Sequence, residues 1–314
     1  MNKKQKPSLW EADKLDWLLV KELELNCRQS NRELARKLGT TPTTIHRRLR
    51  RLFDAGVADA TLVINPLAVG FGTRAFMGLS IRPGTSDSVA KHLQLLWNVQ
   101  SVSLTTGRYD ISIFTVFRNP EEMTSFISGE LGRIPDLVNV EDMMVLKTVK
   151  RLWWQSDPAG VAKGVKPRDL DETEMMLIKE LEAQPRETAA NLGRKLGMSR
   201  KVVSRKLAAL MNDKIINVVS LVNPEVFGFG VRATILLKVN PGTINSVADI
   251  LTHDERVRHA LIVSGQFKIY FHAVFHNIEE LSAFLRDELG KIPGVIHYEP
   301  TIHVAQLKQS SYLG

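Results

Sequence analysis

Thr43, Thr44, His46, Arg47, Arg48, Arg50 and Arg51 lie within one short stretch of this 314-residue chain. Hydroxyl and guanidinium groups match the donors and acceptors on base-pair edges, and further guanidiniums neutralise phosphates. Thr41 followed by Pro42 is the pattern of an N-cap and a first helical residue. A helix begun there turns Ile45, Leu49 and Leu52 to one side and Thr43, Thr44, His46, Arg47 and Arg50 to the other. Thr43, Thr44 and Arg47 are the candidates for base contacts, and Arg48, Arg50 and Arg51 for phosphates. A later segment repeats the design. Ser199 is its cap, Val203, Leu207 and Leu210 point inward, and Lys201, Val202, Ser204 and Arg205 take the reading positions, with Arg200 and Lys206 as further DNA-binding candidates.

The elements that must hold these faces come as an ungapped duplication. Arg36-Lys37-Leu38-Gly39 recurs as Arg194-Lys195-Leu196-Gly197, Gly70-Phe71-Gly72 as Gly228-Phe229-Gly230, and Ile134-Pro135 as Ile292-Pro293, all 158 positions apart. In the first copy a helix bearing Leu15, Leu18, Leu19 and Leu23, and a short second helix over 31–38 stopped by Gly39, precede the polar one, and the second copy repeats the pattern. Positive charge concentrates there. Residues 28–52 carry +7 and residues 186–210 carry +6, against +8 for the whole chain, so the remainder is net −5. That is the footprint of duplex binding and argues against an idle basic bundle.

Beyond residue 60 the apolar period shortens. Strands are expected over 75–81, 111–117 and 138–149, helices over 86–96 and 120–131, and a short strand over 61–64 as a wing or hinge. The order is βαββαβ. The expected fold is α+β, with two winged helix-turn-helix domains (8–60 and 169–218) alternating with two ferredoxin-like sensor domains (61–152 and 219–311). Residues 153–168, rich in Pro, Gly and Lys, are the expected linker.

Taken in order, several motifs resemble the Lrp/AsnC (feast/famine) family of regulators, twice over. They are Asp13-x-x-Asp16, Asn31-x-Glu33-Leu34-Ala35 through Thr43, Gly107-Arg108-Tyr109-Asp110, and Ile134-Pro135. The resemblance implies a transcriptional regulator that binds double-stranded DNA. It implies an effector, an amino acid or a related small molecule, held where sensor domains meet. It also implies an intramolecular pseudo-dimer, with assembly into larger oligomers a further expectation. On that analogy Gly107, Tyr109 and Asp110, with Gly265 and Lys268 in the second copy, are the effector residues. An acid at the turn suits a ligand ammonium, and Lys268 in its place suits a carboxylate. The other reading is that Gly107 and Asp110 only shape a turn; both stay open.

Other chemistry finds less support. Cys27, the single cysteine, excludes disulfides and a cysteine zinc cage, and reads as a core or interface residue. No apolar run is long enough to span a membrane and no leader pattern opens the chain, so a cytoplasmic protein is expected. Gly70-x-Gly72-x-x-Ala75 runs into a strand, where a dinucleotide loop must open a helix. His253, His259, His272, His276, His297 and His303 fall in the second sensor half, with His272 and His276 expected on one strand face. No complete metal-ligand set accompanies them, so no metal and no cofactor is assigned. Glu121-Glu122 and Glu279-Glu280 suit helix starts. Trp153-Trp154 reads as packing between the halves. The architecture also resembles the sirohaem decarboxylases, which implies histidine, tyrosine and arginine around the central sensor strands. Residues 101–107 hold no histidine and the basic faces are kept, so a tetrapyrrole enzyme is the alternative and no catalytic residue is assigned.

Overall fold

The computed structural model describes residues 13–151, 167–222 and 224–309. Side-chain caps start the helices of each copy. The Asp13 carboxylate accepts from the Leu15 and Asp16 amides, and the Asp16 carboxylate reaches back, to begin α1 (Lys14–Leu25). Ser30 caps α2 (Asn31–Lys37), and Thr41 accepts from the Thr44 amide to begin α3 (Pro42–Asp54), with Pro42 in its first turn. There follow β1 (Ala58–Ile64), β2 (Thr73–Ile81), α4 (Ser86–Leu95), β3 (Val99–Thr106), β4 (Ile111–Phe117), α5 (Pro120–Phe126) and β5 (Leu137–Arg151). The helix expected to reach residue 131 passes into a wider π-type segment, Ile127–Leu131. The second copy repeats the order as α6 (Glu172–Ala183), α7 (Ala189–Leu196), α8 (Arg200–Asn212), β6 (Ile216–Val222), β7 (Val231–Val239), α9 (Ile244–His253), β8 (Val257–Val263), β9 (Ile269–Phe275), α10 (Ile278–Ala283) and β10 (Val295–Gln309).

The chain divides into two units. One holds both three-helix heads. Ile45, Leu49 and Leu52 are buried as expected, as are Val203, Leu207 and Leu210. Leu18, expected inward, is 38% exposed; the buried stripe of α1 is Leu19, Val20 and Leu23. The strand expected over 61–64 is longer and is not a wing on its own head. β1 pairs antiparallel with β6 from Ala58↔Val222 to Ile64↔Ile216, and Thr61 faces Val219, its own counterpart in the repeat. A lone strand has unpaired N–H and C=O groups, and the duplicated strand satisfies them. The seam continues beyond the ladder. Cys27 N donates to Val218 O at 2.7 Å, Arg28 donates to the carbonyls of Pro185 and Glu187, and Trp17 packs on Phe227. The Cys27 thiol is 1% exposed, and burial pushes its pKa up to about 11.

The other unit joins the two sensor halves. Each has the ferredoxin-like order, β3-β4-β2-β5 and β8-β9-β7-β10, and the pairs β5–β8 and β10–β3 close all eight strands into one barrel. Closure leaves no free sheet edge. One core lies beneath the helices of each half, around Met77, Val89 and Phe117 and around Ile235, Leu251 and Phe271. A third, of Phe76, Tyr109, Met143, Leu236, Phe267 and Tyr270, fills part of the barrel interior. With both faces covered, the strands are buried almost continuously (β2, β7), which explains their unbroken apolar runs.

Candidate nucleic-acid interface and sensor sites

On α3, Thr43, His46, Arg47 and Arg50 are exposed and Thr44 is half-buried, its hydroxyl 2.9 Å from that of the Thr41 cap. His46 Nδ1 lies 3.5 Å from the Asn31 amide on α2. Arg47 makes no ion pair among the described residues. Arg50 reaches Asp54 at 3.4 Å while staying largely exposed. On α8, Arg200, Lys201, Ser204 and Arg205 are all exposed. The two heads thus present matched polar faces.

Arg48 has a different setting. It is half-buried, donating to Asp16 Oδ1 at 2.7 Å and paired with Asp13 Oδ2 at 2.7 Å, and Arg51 Nη2 reaches Asp16 Oδ2 at 2.8 Å. Asp16 is fully buried, so these guanidiniums neutralise an acid in the head's core. The hydrogen bond from Arg48 holds the Asp13 carboxyl below the usual carboxylate range. In the second head Lys206, Arg48's counterpart, holds Asp171 at 2.5 Å. The sequence offered Arg48 as a phosphate contact and Lys206 as a DNA-binding candidate; the structure ties both to the start of the first helix of their head. Arg28 and Arg186, counted in the basic windows, also work inside the unit: Arg186 lies over the Phe53 ring at 4.6 Å.

In the barrel unit the two sensor turns sit against the other half's last strand. Gly107 has φ +116, and an added Cβ would meet Pro300 O of β10 at 3.1 Å. Tyr109 is buried and donates to Glu141 Oε2 at 2.8 Å. Arg108 pairs with Glu141 at 2.8 Å and with Glu299 at 2.9 Å, and Gln266 donates to Glu141 Oε1 at 2.8 Å. Burial alone would raise the Glu141 pKa, but these hydrogen bonds hold it below the usual range. Asp110 Oδ2 accepts the Ile81 amide at 2.7 Å, so one carboxylate oxygen closes the turn. Lys268 Nζ reaches back to Gly265 O at 2.5 Å, and Gly265 has φ +92. The geometry gives Gly107, Asp110, Gly265 and Lys268 turn-shaping contacts.

The histidines disperse. His276 lies past the end of β9 and pairs with Glu280 at 2.7 Å, so it does not share a strand face with His272. His272 instead stands edge-on to His303, ring centroids 5.2 Å apart, and His303 Nε2 lies 2.8 Å from Thr234 Oγ1. His259 packs against Phe114 and Tyr270. Among the described residues no cluster of His, Cys, Asp or Glu has the makings of a metal site, and no helix is long and apolar enough to cross a membrane. Glu121, Glu122, Glu279 and Glu280 occupy the first turns of α5 and α10. Trp153 and Trp154 lie outside the described residues.

Family models match along the chain in this order: an AsnC-type helix-turn-helix domain over 13–52, the Lrp/AsnC ligand binding domain over 74–153, a winged helix-turn-helix DNA-binding domain over 170–217, and the Lrp/AsnC ligand binding domain again over 232–313. The chain belongs to the Lrp/AsnC family, as a tandem of two helix-turn-helix domains and two ligand-binding domains. Among curated relatives, the HTH-type transcriptional regulator FL11 of Pyrococcus abyssi is 32% identical over 139 residues, 44% of this chain and 91% of its own length. The HTH-type transcriptional regulator Ptr1 of Methanocaldococcus jannaschii is 28% identical over 139 residues, 44% of this chain and 94% of its own. A solved structure, the siroheme decarboxylase NirDL, superposes with a TM-score of 0.66 at 13% identity, covering 96% of this chain and 94% of that one; this likeness is one of fold.

Proposed function

We propose that the protein is a sequence-specific DNA-binding transcriptional regulator whose affinity is modulated by a small molecule bound in its sensor unit. One observation carries this reading. Arg47 and Arg205, at equivalent positions of α3 and α8, are exposed and without ion pairs among the described residues, on heads joined through β1 and β6. Thr43, Thr44, His46 and Arg47, with Arg200, Lys201, Ser204 and Arg205, face the bases and nearest phosphates. Arg50 and Arg51 add phosphate contacts, while Arg48 and Lys206 orient the helices through Asp13, Asp16 and Asp171. Coupling arises when the ligand changes the heads' affinity for an operator. The Gly107–Asp110 and Gly265–Lys268 turns belong to the sensing region in this reading, Asp110 through its remaining carboxylate oxygen. The reading places the protein in the cytoplasm.

Fluorescence anisotropy with the protein's own upstream DNA tests this at 50 and 200 mM salt. Contact with 6–10 phosphates predicts a loss of roughly 10³–10⁵-fold between them. Arg47→Ala is expected to weaken selective binding by about 1–3 kcal/mol with an unchanged Tm, and Arg205→Ala likewise if the second head reads bases. Binding flat across that salt range would sink the reading.

A second reading, a tetrapyrrole enzyme like the decarboxylase of similar fold, has its own support in the barrel interior. Residues 101–107 lack a histidine, but His259, the counterpart of Ser101, supplies one, with Tyr270, His272 and His303 nearby. A Soret band that shifts on adding iron coproporphyrin, with DNA binding absent, would favour it.

A further inference from the structure

Side chains alternate along β2. Ala75, Met77, Leu79 and Ile81 pack beneath the helices, so Arg74, Phe76 and Gly78 face the barrel interior. Phe76 packs on Tyr270 at 4.9 Å, and its strand neighbour Phe114 packs on His259, so this lining runs on into the second half. β7 lies diametrically across the barrel from β2 in the strand order. The duplication has diverged on these inner walls. Phe76, Phe114 and Val145 of the first half stand where the second has Thr234, His272 and His303.

Arg74 is the anomaly. It is 8% exposed, and its one hydrogen bond runs from Nη2 to Thr148 Oγ1 at 3.1 Å, with no carboxylate partner among the described residues. Arg48, Arg108 and Arg256 each hold two carboxylates although all three are less buried. Burial depresses the Arg74 pKa to about 10. Burying a guanidinium without a counter-charge is costly, and its planar fork of donors fits a carboxylate in two parallel hydrogen bonds. The surroundings of His272 are basic and not acidic: burial first, and then His303, His259, Arg232 and Arg258, disfavour its protonated form. His303 Nδ1 is buried with no hydrogen-bond partner among the described residues.

We infer that the barrel interior is a binding site for a small carboxylate-bearing molecule, anchored by a bidentate pair from Arg74 and received across the barrel by the polar wall of Thr234 and His303. The site lies apart from the two sensor turns and spans both halves but occurs once, because Thr234, His272 and His303 have apolar counterparts in the first half. It rests on the regulator reading only insofar as the molecule is called an effector. An amino acid and a tetrapyrrole acid both offer Arg74 the same group, and the competitors below distinguish them.

The test uses the ¹⁵N-labelled 314-residue chain. The Arg74 Nε–Hε resonance, assigned by its loss in Arg74→Lys, is followed while sodium acetate is added, with sodium chloride at equal ionic strength as reference. A saturable shift in acetate alone is expected, weakened several-fold in Thr148→Val. Displacement of acetate by L-leucine marks an amino-acid site, and displacement by coproporphyrin III marks a tetrapyrrole site. Equal responses to acetate and chloride, or displacement by neither competitor, would overturn the inference. Arg74→Met is expected to keep or raise the Tm of the free protein and to abolish the Tm rise that the displacing ligand produces. A fall in Tm with the ligand-induced rise intact would also overturn it. Anisotropy on operator DNA is measured separately, so a failed acetate titration beside intact DNA binding removes the site and leaves the regulator reading standing.

Discussion

Burial, with the charge of Arg232, lowers the pKa of His303 from 6.5 to about 4, and the ring stands edge-on to His272. The ring is therefore neutral in the folded protein at pH 6, where part of the unfolded population carries a proton. The contribution to stability is intact above pH 6.5 and is lost as pH falls toward 4, because only the unfolded chain gains the proton. Between pH 6.5 and 5 the loss from this residue is about 1.5 kcal/mol. Urea denaturation of His303→Gln, which keeps a hydrogen bond to Thr234, is expected to show a shallower decline across that interval than the wild type; an identical decline would show the histidine titrating normally. The outer face of α3 follows from helical spacing, but the roles within it do not. Arg47 and Arg48 are adjacent in sequence, yet only Arg48 meets Asp13 and Asp16, thirty-five and thirty-two positions away.

At the scale of elements, β2 shows how one residue sets the packing of a turn. A Cβ on Gly78 would clash with the Tyr109 ring at Cδ1, and the ring's hydroxyl is held by Glu141. In the second half the counterparts are Leu236 and Phe267, both buried, so the two halves have solved the same turn with different volumes. Gly78→Ala is expected to destabilise the protein by about 1–3 kcal/mol through overpacking, read from its thermal unfolding. The same change in a Tyr109→Ala background is expected to cost distinctly less, since the clashing ring is gone. Equal costs in both backgrounds would place the strain in the strand itself. Most elements were legible from caps and periodicity: Thr41 and Ser199 open α3 and α8, and β4 spans the expected residues. The partner of β1 was not legible, because an antiparallel ladder is decided by which edge lies within reach and not by the strand's own pattern.

At the scale of the whole molecule, each unit is built from both copies. β1–β6 joins the heads, and β5–β8 with β10–β3 joins the sensor halves. A chain cut at a protease site inserted between residues 156 and 166 is therefore expected to elute as one species of undiminished mass without denaturant; fragments that separate would mean the ladders alone do not hold the copies together. The sequence by itself determined the duplication, the α+β order of each copy, the family, and the concentration of charge on two helices. These rest on local spacing, capping and composition, which any contiguous stretch displays. Tertiary structure alone decided that the sensor halves share a closed barrel, that Arg28, Arg48 and Arg186 serve the heads' own packing, and that Arg74 is buried with no acid paired to it among the described residues. Each depends on which distant strand or helix comes within a few ångströms, and pairing across more than a hundred residues leaves no periodic trace in the chain.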